Sequence, residues 1–116
     1  MTPNEYQEAA ARTLVRGDQI QIDSWDARIL WNAIGISGEA GEVCEQVKKM
    51  IFHEQGLDRD KLASELGDVL WYVSALATCL DLKLEDIMAK NIGKLVRRHP
   101  NGWDPTRASG GVNFTS

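Results

Sequence analysis

Cysteine is scarce in this chain, at two of 116 residues, Cys44 and Cys79. A disulfide-stapled scaffold is excluded, and the lack of any Cys/His cluster at ligand spacing removes the common zinc sites. Long apolar runs are missing as well. None approaches the roughly 20 residues that a membrane helix needs, and Met1 to Glu8 is polar and acidic where a leader would be basic and then apolar. These absences predict a cytoplasmic chain with no membrane partner. An excess of positive charge is also lacking: 17 acidic against 13 basic side chains give −4 at pH 7. A nucleic acid polymer, which requires a basic face, is a poor partner. No segment alternates polar and apolar with period two, so a sheet architecture has no support.

What is present is a chain that is 43% hydrophobic and long enough to bury one core without staples. Thr2-Pro3-Asn4-Glu5 has the form of a capping box with proline at the first helical position. A short helix is predicted from there through Tyr6, Ala9, Ala10, Thr13 and Leu14, closed by Gly17. Ser24 caps a much longer helix whose apolar stripe is Ile29, Ala33, Ile36, Ala40, Val43, Val47 and Met50, with Gly56 marking its end. Asp58 caps a third, with Leu62, Leu66, Val69, Val73, Leu76 and Leu80 on one face. After Asp81 a fourth runs from about Leu84 to Arg98, and His99-Pro100-Asn101-Gly102 is a stop and a turn. The fold class is therefore all-α and four-helix bundle-like, one domain over residues 1–103 followed by a Gly/Ser/Thr-rich, flexible tail over 104–116. Cys44 and Cys79 adjoin the core stripes and read as buried thiols.

One pattern occurs twice. Glu39-Ala40-Gly41-Glu42-Val43 and Glu65-Leu66-Gly67-Asp68-Val69 both read acid, apolar, Gly, acid, Val, 26 residues apart, and the apolar stripes repeat in the same frame. At about 100° per residue each acid pair falls on the margin of its stripe. Two antiparallel helices packed through these stripes can bring four carboxylates face to face. Such a cluster is unfavourable when empty, which calls for a cation. An all-oxygen donor set suits Mg²⁺, with Mn²⁺ as a substitute. A di-iron bundle needs Glu-x-x-His, and Met50 and Val96 stand three before the two histidines. Gly35, Gly38 and Gly41 crowd one helix at about 1 kcal/mol each relative to alanine, so a close helix approach or a ligand at the backbone must offset them.

The last helix supplies what a phosphate needs: Asn91 beside the apolar face, and Lys90, Lys94, Arg97 and Arg98 as cations. Tyr72 stands one turn after Asp68 on the same edge. Trp25 and Trp31 are candidates to stack on a base, and Arg28 and Asn32 run along the edge that carries Glu39. No Walker-type Gly-x-x-x-x-Gly-Lys and no nucleophile with a paired histidine is present. Chemistry here is metal-assisted.

Gly38-Glu39-Ala40-Gly41-Glu42-Val43, then Glu65-Leu66-Gly67-Asp68-Val69-Leu70-Trp71-Tyr72, then Asn91-Ile92-Gly93-Lys94-Leu95 and Arg97 to Trp103 resemble, in that order, the MazG-like nucleoside triphosphate pyrophosphohydrolases of the small single-domain type. The resemblance implies the oligomeric all-α architecture of that superfamily, a homodimer or homotetramer. It implies Mg²⁺ on Glu39, Glu42, Glu65 and Asp68, with Glu39 or Glu42 as catalytic base. It places substrate contacts at Tyr72, Asn91 and Lys94; Arg97 is added as a second phosphate clamp, and Asn32 and Trp31 as contacts to the base. The implied reaction converts a (deoxy)nucleoside triphosphate to the monophosphate and pyrophosphate, in the house-cleaning of nucleotide pools. A metal- and nucleotide-binding regulatory module without turnover is the alternative.

Overall fold

The computed structural model describes residues 1–14, 24–53, 56–103 and 105–108. Its helices, in chain order, are α1 (Pro3–Ala11), α2 (Trp25–Phe52), α3 (Arg59–Cys79), α4 (Leu84–Arg98) and the single turn α5 (Pro105–Ala108). Among the described residues there is no strand, and the expected all-α class holds.

The predicted caps form. Thr2 Oγ1 accepts from the Glu5 amide at 3.1 Å while Glu5 Oε1 accepts from the Thr2 amide at 3.2 Å, the two halves of a capping box. Ser24 and Asp58 cap α2 and α3 through the amides of Ala27 and Lys61. α1 ends earlier than its periodicity suggested. The Thr13 amide and hydroxyl both turn back to the Ala10 carbonyl, at 3.0 and 2.7 Å, and divert the chain after one tight turn. Gly17 lies outside the described residues. Asp81 at φ 56° and Leu82, whose amide reaches the Ala77 carbonyl at 2.8 Å, turn the chain from α3 into α4. Gly102, at φ 87°, closes the turn on the His99 carbonyl. The tail holds the single turn α5, which its composition did not announce.

α2 and α3 run antiparallel as the central pair. The Trp25 indole N–H donates to the Cys79 carbonyl at 2.9 Å at one end, Gly35 faces Tyr72 in the middle, and Glu39 faces Glu65 and Asp68 beyond it. The contact face of α2 is rotated from the predicted stripe. Asn32 and Gln46 are buried, whereas Ala33, Ala40 and Val47 are exposed. On α3, Leu66 is likewise 57% exposed. At Gly35 the missing side chain admits the Tyr72 ring, where a Cβ would hold the helices apart. Cys44 is exposed and Cys79 half-buried, so the reading of both thiols as core residues fails for Cys44.

α1 packs on α3 and on the start of α4. The Trp71 indole donates to Thr13 Oγ1 at 2.8 Å. Gln7 ties three elements at once, donating to Thr78 Oγ1 at 3.2 Å and the Leu82 carbonyl at 2.8 Å while accepting from the Leu84 amide at 2.8 Å. Asn4 and Glu85 are doubly bonded, side chain to side chain and Glu85 amide to Asn4 Oδ1. Lys83, at the N-cap position of α4, offers no side-chain bond. Gln7 and Asn4 of α1 supply those acceptors instead, so α1 caps α4.

Candidate functional site

The repeated motif brings three of its four acids together. Glu39 of α2 and Glu65 and Asp68 of α3 each present a carboxylate oxygen, all within 4.8 Å of one another. Glu39 and Glu65 are half-buried and Asp68 is exposed, so the cluster opens to solvent at one side. Partial burial, then the charges of Asp68, Glu65 and Glu42, push the Glu39 carboxyl above its ordinary range. Glu42 thus reaches Glu39 electrostatically, yet it lies outside the three-oxygen set. The donors are hard oxygens without histidine or thiolate, the set expected for a divalent hard cation and unsuited to soft metals. The mutual repulsion is what such an ion would relieve.

α1 adds a residue that sequence reasoning missed. Burial and the charge of Asp68 raise the Tyr6 phenol above its ordinary value, which puts Tyr6 within the field of the cluster. In the sequence Tyr6 was simply the first apolar position of α1; nothing local marked it, because its neighbour is 62 residues away.

Tyr72 is half-buried, its ring over Gly35 and edge-on to Trp71 with centroids 5.0 Å apart at 87°. Of the three crowded glycines, Gly35 is therefore explained by close approach. Gly38 and Gly41 have nothing within 4 Å of where a Cβ would stand. Asn32 is 6% exposed, its Nδ2 donating to the Arg28 carbonyl at 3.0 Å and lying 3.4 Å from Cys79 Sγ. That amide nitrogen is committed to α2–α3 packing. Trp31 is 45% exposed, whereas Trp25 fastens the start of α2 to the end of α3.

Asn91, Lys94 and Arg97 are brought together with Lys83, Lys90 and Asp86 along an open groove of about 910 Å³ on α4. None of the clustered carboxylates lines that groove. The described residues thus hold an acidic cluster on α2 and α3 and, apart from it, a groove on α4 lined mainly by cations.

The model of the MazG nucleotide pyrophosphohydrolase domain matches residues 31–103, which include all four motif acids and the α4 groove residues Asn91, Lys94 and Arg97. The chain belongs to the MazG family. The match begins at Trp31 and ends at Trp103, so α1 and the tail lie beyond it. A curated relative, the Gene 37 protein of Mycobacterium phage L5, is 38% identical over 101 residues, covering 84% of this chain and 88% of its own length. Its name carries no activity. No solved structure matches. No helix among the described residues is long and apolar enough to cross a membrane.

Proposed function

We propose that this MazG-family protein is a Mg²⁺-dependent hydrolase of (deoxy)nucleoside triphosphates, releasing the monophosphate and pyrophosphate. The observation that carries the proposal is the convergence of Glu39, Glu65 and Asp68 from two copies of one motif, with Glu42 beside them. Glu39, Glu65 and Asp68, with Glu42 beside them, are the residues that would hold the cation. Bound there, Mg²⁺ supplies charge neutralisation for the triphosphate and lowers the pKa of water. Mn²⁺ satisfies the same donors.

The protein's own groups do the rest. Glu39 or Glu42 accepts the proton of the attacking water. Lys94 and Arg97 hold the leaving pyrophosphate and offset its charge, and Asn91 orients the chain of phosphates. In this reading Tyr72, one turn beyond Asp68, borders the sugar, and Trp31, which is exposed, stacks on the base. A cytoplasmic protein with these parts serves to clear surplus or aberrant triphosphates.

A panel of natural and modified triphosphates in Mg²⁺, assayed for pyrophosphate release, tests the reading. Turnover of at least one, lost in Glu42→Gln with triphosphate binding retained, is expected. A protein that binds a triphosphate and leaves it intact for hours is a regulatory module and overturns the proposal.

A further inference from the structure

α4 is a lever with a short anchor. Its first residue, Leu84, is buried at 5% exposure, whereas Met88, Ile92 and Val96 further along are 49%, 59% and 58% exposed. Among the described residues α1 is the helix on which α4 packs, and α4 makes no extended contact with α2 or α3. The groups assigned to the phosphates, Asn91, Lys94 and Arg97, stand toward the other end. At about 1.5 Å per residue, Lys94 is about 15 Å and Arg97 about 20 Å from the anchor, so a tilt of about 10° at Leu84 moves them by about 3 Å. A misplacement of about 1 Å can already cost about 100-fold in rate.

Two side-chain amides of α1 set that tilt. Gln7 Oε1 accepts from the Leu84 amide at 2.8 Å and Gln7 Nε2 donates to the Leu82 carbonyl at 2.8 Å, so one side chain closes around Lys83. The same nitrogen donates to Thr78 Oγ1 of α3 at 3.2 Å. α3 carries Glu65 and Asp68, and Gln7 therefore fixes the direction of α4 against the helix that holds two of the clustered acids. Asn4 repeats the grip on the next residue, accepting from the Glu85 amide at 3.3 Å and donating to Glu85 Oε2 at 3.0 Å. A primary amide is suited to this joint because it offers a donor and an acceptor in one rigid plane, which neither a carboxylate nor an ammonium does. α1 is itself tied to α3 at its other end, where the Trp71 indole donates to Thr13 Oγ1 at 2.8 Å. All of this lies outside the stretch 31–103 that the MazG model matches.

We propose that Gln7 and Asn4 are positioning residues for the reaction: they set the direction of α4 from α3 and thereby the place at which Asn91, Lys94 and Arg97 meet the phosphates. The proposal rests on the phosphate-binding role assigned to α4 above. It makes α1 part of the catalytic machinery, although neither amide touches the substrate.

A double-mutant cycle with Lys94 tests this. Gln7→Met keeps the length of the side chain and removes its three bonds; Asn4→Ala is the second variant, should Gln7→Met melt without cooperativity. Each is made in the wild-type and in the Lys94→Ala background. KM and kcat for a triphosphate with Mg²⁺ are measured, together with the Kd of a non-hydrolysable α,β-methylene triphosphate. In the wild-type background KM and Kd are expected to rise about tenfold or more. In the Lys94→Ala background the rise is expected to shrink to about threefold or less, because a group that the tilt would misplace is already missing. The rise in melting temperature on adding Mg²⁺ is expected to persist, since Glu39, Glu65 and Asp68 are untouched. Unchanged KM and Kd, an equal rise in both backgrounds, or loss of the Mg²⁺ response overturns the proposal. A merely structural residue lowers the amount of active protein, and so the apparent kcat, without moving KM. Wild-type binding of the analogue without pyrophosphate release contradicts the proposed hydrolysis alone, since the cycle is still read from Kd. Failure of wild type to bind the analogue removes both.

Discussion

The Tyr72 ring lies where a Cβ on Gly35 would stand, so a single methyl group there is a direct probe of the α2–α3 approach. Two effects oppose one another in Gly35→Ala. Alanine improves helix propensity by about 1 kcal/mol, while forcing a methyl against a packed ring costs about 1–3 kcal/mol. The net expectation is a loss of about 0–2 kcal/mol. At Gly38 and Gly41 nothing lies within 4 Å of the added carbon, so only the propensity gain of about 1 kcal/mol operates within the chain. The decisive measurement is a double-mutant cycle by urea unfolding followed through tryptophan fluorescence. In the Tyr72→Ala background the obstacle is gone and Gly35→Ala should stabilise, giving a coupling of about 1–3 kcal/mol. An equal effect of Gly35→Ala with and without the Tyr72 ring refutes the argument, because it separates glycine from ring.

Other perturbations follow from the same geometry. Ser74 is 1% exposed and its hydroxyl has no hydrogen-bond partner among the described residues, so Ser74→Ala should raise stability by about 1 kcal/mol in urea melts, and a loss of that size contradicts the reading. Glu39→Gln relieves repulsion within the cluster and should raise the melting temperature of metal-free protein while abolishing the further rise on adding Mg²⁺; a lower metal-free melting temperature contradicts the electrostatic account. Gln7→Ala removes the cap on α4 and should cost about 1–3 kcal/mol, with faster hydrogen exchange at the Leu84 amide as its local signature. Unchanged exchange at Leu84 means that α1 does not hold α4.

The helices and most of their caps were legible because their signals are local. Thr2, Ser24 and Asp58 each act on an amide three residues away, and the boundaries of α4 follow from one uninterrupted periodic segment. The acidic cluster was legible for a different reason: the motif occurs twice in one frame, and packing two copies antiparallel places their acids together. Which acid stays out of the oxygen set was not, since Glu42 and Asp68 hold equivalent motif positions and differ in one methylene and in how the helices rotate. That rotation was hidden too. The predicted α2 stripe assumed that all apolar residues turn inward, whereas the structure buries Asn32 and Gln46 and leaves Val47 and Leu66 exposed. The field of Asp68 at Tyr6 and the bond of Gln7 to the start of α4 arise between distant segments, for which one chain's sequence carries no periodic trace.

The central claim is metal-dependent attack of water on the α-phosphorus of a nucleoside triphosphate at the carboxylate cluster. Hydrolysis in ¹⁸O-labelled water, with products resolved by mass spectrometry, tests it most directly. The account predicts label on the monophosphate and none on pyrophosphate, with both products abolished by EDTA and by Asp68→Asn. Label on pyrophosphate, release of diphosphate with orthophosphate, or turnover that survives EDTA would contradict it.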